Sequence, residues 1–132
     1  MSSLKSICII DDDKIYRYGI SKIINNHLPG KEIMSFENGQ KALDSIKEME
    51  ENNNELPDLI LLDIDMPEMN GWDFLNAFQS IREKVNKDIQ IFVISSRIDK
   101  KNHELYRLEW SQKVSDFIQK PVQIEALKGL LK

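Results

Sequence analysis

Apolar residues along the chain fall into short uninterrupted runs, and the segments between the runs repeat apolar positions at helical spacing. The run Leu59–Ile60–Leu61–Leu62 stops on Asp63 and is followed at once by Ile64–Asp65–Met66–Pro67–Glu68–Met69–Asn70–Gly71. A short apolar run bounded by turn formers fits a strand buried on both faces, the environment of a central strand in a parallel sheet. Ser6–Ile7–Cys8–Ile9–Ile10 reads as a second such strand, ended by Asp11–Asp12–Asp13. Asp13 suits an N-cap, because its side chain can accept from the free backbone N–H groups of the helix that follows.

That helix is expected to carry Ile15, Tyr18, Gly19, Lys22, Ile23 and Ile24 at roughly helical spacing and to close at Pro29–Gly30. Glu32–Phe36 is a shorter strand of weaker pattern. Ala42, Leu43, Ile46 and Met49 then mark the apolar face of a second helix, which dissolves into the acidic, amide-rich run Lys47–Glu55, read as a solvated helix end and loop. Trp72, Phe74, Leu75, Phe78 and Ile81 give a stripe on a third helix, with Trp72 a packing residue, and Ile89–Ile94 a fourth strand ending in Ser95–Ser96–Arg97. A polar helix over Lys100–Trp110, a short strand Asp116–Gln119 ending in Lys120–Pro121, and a closing helix over Gln123–Leu131 complete the pattern.

Strands and helices therefore alternate five times, with no internal repeat, low-complexity tract or interdomain linker. Alternation of this kind implies βαβ units with right-handed crossovers and helices on both faces of a parallel sheet. The expected fold is α/β: a flavodoxin-like, doubly wound five-stranded sheet in the order 2-1-3-4-5 with five helices. Residues 1–132 are read as a single domain, which is what this length allows.

Composition adds limits. The chain is 41% hydrophobic and 30% charged, with a formal net charge of −4, so a general attraction to nucleic acid or to anionic lipid is not expected. No apolar stretch approaches membrane-spanning length and the first residues lack a signal-peptide layout, so the default location is cytoplasmic. Cys8 is the single cysteine and falls within a strand, which suits a buried, unreactive thiol. His27 and His103 stand alone in their helices without a partner at ligand spacing and are expected to be surface or capping residues.

The candidate chemistry lies at the carboxyl ends of the strands, where open α/β sheets bind their ligands. In the order 2-1-3-4-5 the first and third strands are neighbours, so Asp11, Asp12 and Asp63 would meet at one edge. Converging carboxylates repel one another, and a hard divalent cation with oxygen ligands, Mg2+, removes the conflict. Ser95 would end the fourth strand with a hydroxyl donor and Lys120 the fifth with an ammonium. A phosphoryl group on Asp63 would then have its oxygens met by metal, hydroxyl and ammonium together.

On these stretches the chain resembles the receiver domain of response regulators in two-component signalling (CheY-like). The resemblance covers nearly the whole length. It rests on Ile9–Ile10–Asp11–Asp12–Asp13, Leu61–Leu62–Asp63–Ile64–Asp65–Met66–Pro67–Glu68–Met69–Asn70–Gly71, Val93–Ile94–Ser95–Ser96 and Phe117–Ile118–Gln119–Lys120–Pro121. It implies a phosphoacceptor signalling domain, catalysing only its own phosphorylation and dephosphorylation, in which Asp63 takes a phosphoryl group from a histidine kinase or histidine phosphotransfer protein. It further implies Mg2+ held by Asp12 and Asp63 directly, by Asp11 through water, and by the backbone carbonyl of Asp65. Ser95 and Phe117 become the switch pair, and the face formed by the helix over 100–110, the last strand and the closing helix becomes the docking surface, with a phosphorylation-dependent homodimer among its uses. The acidic, Asn-rich stretch before the third strand is longer than the family's usual spacing. Asp65 and Arg97 are also placed to overhang the pocket, where a pair between them would restrict the attacking water.

Two other readings stand beside this one. A receiver that signals by protein contacts without phosphorylation would keep the fold and lose the chemistry. A flavin-binding flavodoxin relative would share the fold, but it needs a hydroxyl- and Gly-rich phosphate loop where this chain has three aspartates.

Overall fold

Every residue of the runs 6–10 and 59–63 is buried, as strands covered on both sides must be. The computed structural model describes residues 4–66, 69–95, 114–119 and 124–130. Within them lie β1 (Ser6–Ile10), α1 (Lys14–His27), β2 (Glu32–Phe36), α2 (Gly39–Glu51), β3 (Leu59–Asp63), α3 (Gly71–Lys84), β4 (Gln90–Ser95), β5 (Asp116–Gln119) and α4 (Ile124–Leu130). The five strands form one parallel sheet in the order β2-β1-β3-β4-β5, as expected. The helix expected over 100–110 and the Lys120–Pro121 strand end lie outside the described residues.

The two-residue period of the strands divides the core. Cys8, Ile10, Ile60, Leu62, Ile91, Val93 and Phe117 pack with Ala42, Leu43 and Ile46 of α2 and with Phe74, Leu75, Phe78 and Ile81 of α3. On the other face Ile7, Ile9, Leu59, Leu61, Phe92 and Ile94 pack with Ile20 and Ile24 of α1 and Leu127 of α4. Each fully buried Ile, Leu or Phe contributes about 1.5–3 kcal/mol relative to exposure, so continuous apolar strands are what such a two-sided sheet demands. Cys8 is part of this core, and burial pushes its thiol pKa far up, which leaves it unreactive at neutral pH.

The helix starts carry local signals. Asp13 caps α1 by accepting from the Ile15 and Tyr16 amides at 3.0 and 3.2 Å, and Asn70 forms a capping box with Asp73 at the start of α3. The face of α1 departs from expectation. Ile15 and Tyr18 are 82% and 65% exposed, whereas Ile20 and Ile24 are buried and Tyr16 and Ile23 pack beside them. The buried stripe is 16, 20, 23 and 24; two apolar stripes of helical spacing were available, and the docked sheet selected one. His27 is exposed in the last turn of α1.

The acidic run begins inside α2, which continues to Glu51, and its remainder forms a loop. Asn53 adopts a left-handed conformation (φ 56°) and the Asn54 amide returns to the Met49 carbonyl at 2.8 Å. Lys87, beyond α3, reaches across to the Leu56 carbonyl at 2.6 Å and the Asp58 carboxylate at 2.9 Å. The longer spacing is thereby tied back to the sheet's amino-terminal edge.

Candidate functional site

Parallel pairing of β1 with β3 sets Ile10 beside Leu62, so the next residue on each strand, Asp11 and Asp63, emerges at the same carboxyl edge. Asp11 and Asp63 are only 2% and 3% exposed, while Asp12 is exposed. One carboxylate oxygen from each of Asp11, Asp12 and Asp63 lies within 4.8 Å of the others. Asp63 and the Asp11–Asp12 pair, about fifty residues apart along the chain, are brought together as the sheet order requires.

The backbone holds this cluster from several sides. The Asp11 side chain accepts from the Asp13 amide at 2.9 Å, and the Asp11 amide donates to the Phe36 carbonyl at 3.1 Å. Arg17, one turn into α1, donates to the Asp11 carbonyl at 2.5 Å. Behind Asp63, Gly71 presses the first turn of α3 against the strand end: a Cβ there would lie 2.6 Å from the Ile64 Cα and 2.9 Å from the Asp63 carbonyl oxygen. Only a glycine permits that approach. The Gly71 amide closes it by donating to the Ile64 carbonyl at 3.2 Å.

The donor set fits a hard divalent cation. Three carboxylates, two of them buried, concentrate like charge where solvent screens it poorly, and an all-oxygen cluster of this size suits Mg2+ rather than a soft metal.

Register also places the hydroxyl. Asp63 pairs with Ile94, so Ser95 stands one residue further along the same edge, fully buried. Its Oγ donates to a carboxylate oxygen of Asp65 at 2.6 Å, and the Asp65 amide donates to the Asp63 carboxylate at 3.1 Å. The sequence readings placed Asp65 at the pocket but did not pair it with Ser95. Strand register brings the two into the same neighbourhood, since Asp65 lies two residues past Asp63 and Ser95 one past its paired Ile94, but the contact itself is set by how the strand ends turn and pack. Arg97, the partner first expected for Asp65, and Lys120 lie outside the described residues. Phe117 is buried, its ring 6.1 Å from that of Trp72 at the start of α3, so Trp72 is the packing residue it was expected to be.

Comparison with known proteins agrees with this fold. The family described as response regulator receiver domain matches residues 7–132. A protein-glutamate methylesterase/protein-glutamine glutaminase of Treponema pallidum is 34% identical over 122 residues, covering 92% of this chain and 27% of that protein. A two-component response regulator from Cytophaga hutchinsonii superposes with a TM-score of 0.82 at 27% identity, covering 98% of this chain and 95% of that one. A CheY-like receiver domain protein from Methanospirillum hungatei gives 0.75 at 25% identity, over 98% and 91% of the two chains. The chain spans about a third or less of the length of the first curated relatives it matches, 27% and 34%. Among the described residues no helix is long and apolar enough to cross a membrane.

Proposed function

As this chain belongs to the response regulator receiver domain family, we propose that it accepts a phosphoryl group on Asp63 from a phosphohistidine of a histidine kinase or histidine phosphotransfer protein. The observation that carries the reading is the convergence of Asp11, Asp12 and Asp63 within 4.8 Å at one sheet edge. A carboxylate oxygen of Asp63 attacks phosphorus, a P–O bond forms as the P–N bond breaks, and the imidazole nitrogen leaves with the bonding pair. Asp12 and Asp63 would hold Mg2+, with Asp11 and the Asp65 carbonyl as the further oxygens of the site. When bound, the ion neutralises charge on the transferring phosphoryl oxygens.

The protein's own part is placement. Asp63 ends a strand buried on both faces, so its carboxylate is aimed by the sheet and not by a mobile loop. Ser95, buried at the adjoining strand end, supplies the hydroxyl that turns to a phosphoryl oxygen, and Lys120 supplies the ammonium. Phe117, already buried against Trp72, repacks into the volume the hydroxyl leaves. The change is passed to the face formed by residues 100–110, β5 and α4, where a partner docks or a second phosphorylated copy pairs. A cytoplasmic setting belongs to the same proposal.

The test is incubation with Mg2+ and acetyl phosphate, followed by intact-mass and peptide analysis. A gain of one phosphoryl group mapped to Asp63, abolished by Asp63→Asn and by chelator, is the expected result. No gain in the wild-type chain under saturating Mg2+ would leave the phosphorylation-independent interaction module as the reading.

A further inference from the structure

The hydrogen bond between Ser95 and Asp65 sets a competition that the phosphoacceptor chemistry alone does not require. A serine hydroxyl carries one proton. Here the Ser95 Oγ directs it at an Asp65 carboxylate oxygen 2.6 Å away, a length typical of a charge-assisted O–H to O− bond. Asp65 is anchored in turn, because its own amide donates to the Asp63 carboxylate at 3.1 Å. The three residues thus form a chain across the carboxyl edge, Asp65 joining it through its backbone amide on one side and its carboxylate on the other.

We infer that Asp65 is a positioning residue that latches the Ser95 hydroxyl away from the phosphoryl site and so raises the threshold at which phosphorylation switches the domain. The inference rests on the phosphoacceptor reading above and adds to it a residue that opposes the switched state. A phosphoryl oxygen on Asp63 and the Asp65 carboxylate are both anionic acceptors, and the single Ser95 proton serves one or the other. The two ends of the latch differ in exposure. Ser95 is 0% exposed, whereas Asp65 is only partly buried. When the hydroxyl turns away, water can replace it at Asp65, so the latch costs the switch a bounded amount and does not forbid it. A side chain at 65 with no acceptor oxygen would remove that competitor for the hydroxyl proton.

The experiment is a double-mutant cycle read by affinity for beryllofluoride, a phosphoryl mimic, in the full chain at saturating Mg2+ established separately for each variant. Fluorine NMR of the bound fluoride gives occupancy without reference to phosphotransfer activity. Asp65→Ala is expected to tighten beryllofluoride binding about tenfold in the wild-type background, the scale of one hydrogen bond to a charged group. Asp65→Asn, which keeps an acceptor oxygen and drops the charge, is expected to fall between the two. In the Ser95→Ala background the same Asp65→Ala change is expected to shift affinity by no more than about twofold, because the hydroxyl it would release is gone. An equal gain in both backgrounds would replace the latch with simple charge repulsion, and a loss of affinity in Asp65→Ala would overturn it outright. Complete absence of beryllofluoride binding by the wild-type chain would remove the phosphoacceptor reading and the latch together, whereas binding without coupling would remove the latch alone.

Discussion

At the amino-terminal edge of the sheet the Asp58 carboxylate is met by Lys87 at 2.9 Å and by the amides of Lys5 and Ser6 at 2.8 and 3.0 Å. At the carboxyl edge Asp11, Asp12 and Asp63 bring their carboxylates within 4.8 Å of one another. The strand β3 links the two, since Asp58 immediately precedes it and Asp63 ends it. Parallel strands present free N–H groups at one end, and an acid there completes the sheet's own hydrogen bonding. At the other end the acids gather like charge, a donor set that suits a hard cation. Carboxylates five residues apart therefore have opposite duties: one closes the fold, the other leaves the fold ready for a ligand.

The strongest way to break this division is at the glycine behind Asp63. Gly71→Ala places a methyl group 2.6 Å from the Ile64 Cα, where backbone and not a flexible side chain must yield. It should cost about 1–3 kcal/mol in urea unfolding and also weaken Mg2+ binding, because the displaced strand end carries Asp63. Stability lost with Mg2+ affinity intact would show that the site is held independently of α3.

Lys87→Met tests the opposite edge. It leaves a carboxylate whose side chain is 18% exposed without its cation and frees the Leu56 carbonyl. A loss of about 2 kcal/mol is expected, with phosphoryl uptake from acetyl phosphate unchanged. A fall in uptake would mean that the two edges are coupled.

Ligand linkage sharpens the contrast with a smaller effect. Mg2+ at ten times its Kd should stabilise the chain by about 1.4 kcal/mol, RT ln 11 for a ligand that binds only the folded state. Thermal or urea unfolding with and without chelator would measure it. The gain should survive Lys87→Met and vanish in Asp12→Ala.

The smallest expected effect is the pH dependence of Asp58. Burial alone would raise its pKa, but the Lys87 hydrogen bond, the Lys5 and Ser6 amides and the Lys87 charge together outweigh burial and hold it below the usual carboxylate range. A depressed acid contributes stability that is fully present above its unfolded pKa and is lost as pH falls through the folded one. Urea midpoints stepped downward from neutral pH should therefore decline through and below the carboxylate range. Asp58→Asn should flatten that limb.

Much of this contrast is legible in the sequence. The runs at 6–10 and 59–63 declared strands covered on both sides, their alternation with helical segments gave a doubly wound sheet, and that order alone made neighbours of Asp11 and Asp63. Hydrophobic periods and strand ends are local properties, so the linear chain carries them in full. Tertiary structure decided the phase of α1, where Ile20 and Ile24 and not Ile15 and Tyr18 face the sheet, because spacing states a period and leaves the rotation to whatever docks. It also decided the partners of charged and polar side chains: Lys87 with Asp58, and Ser95 with Asp65. Such pairs join separate loops and strand ends, and hydrogen bonds depend on tenths of an ångström that only the packed sheet supplies.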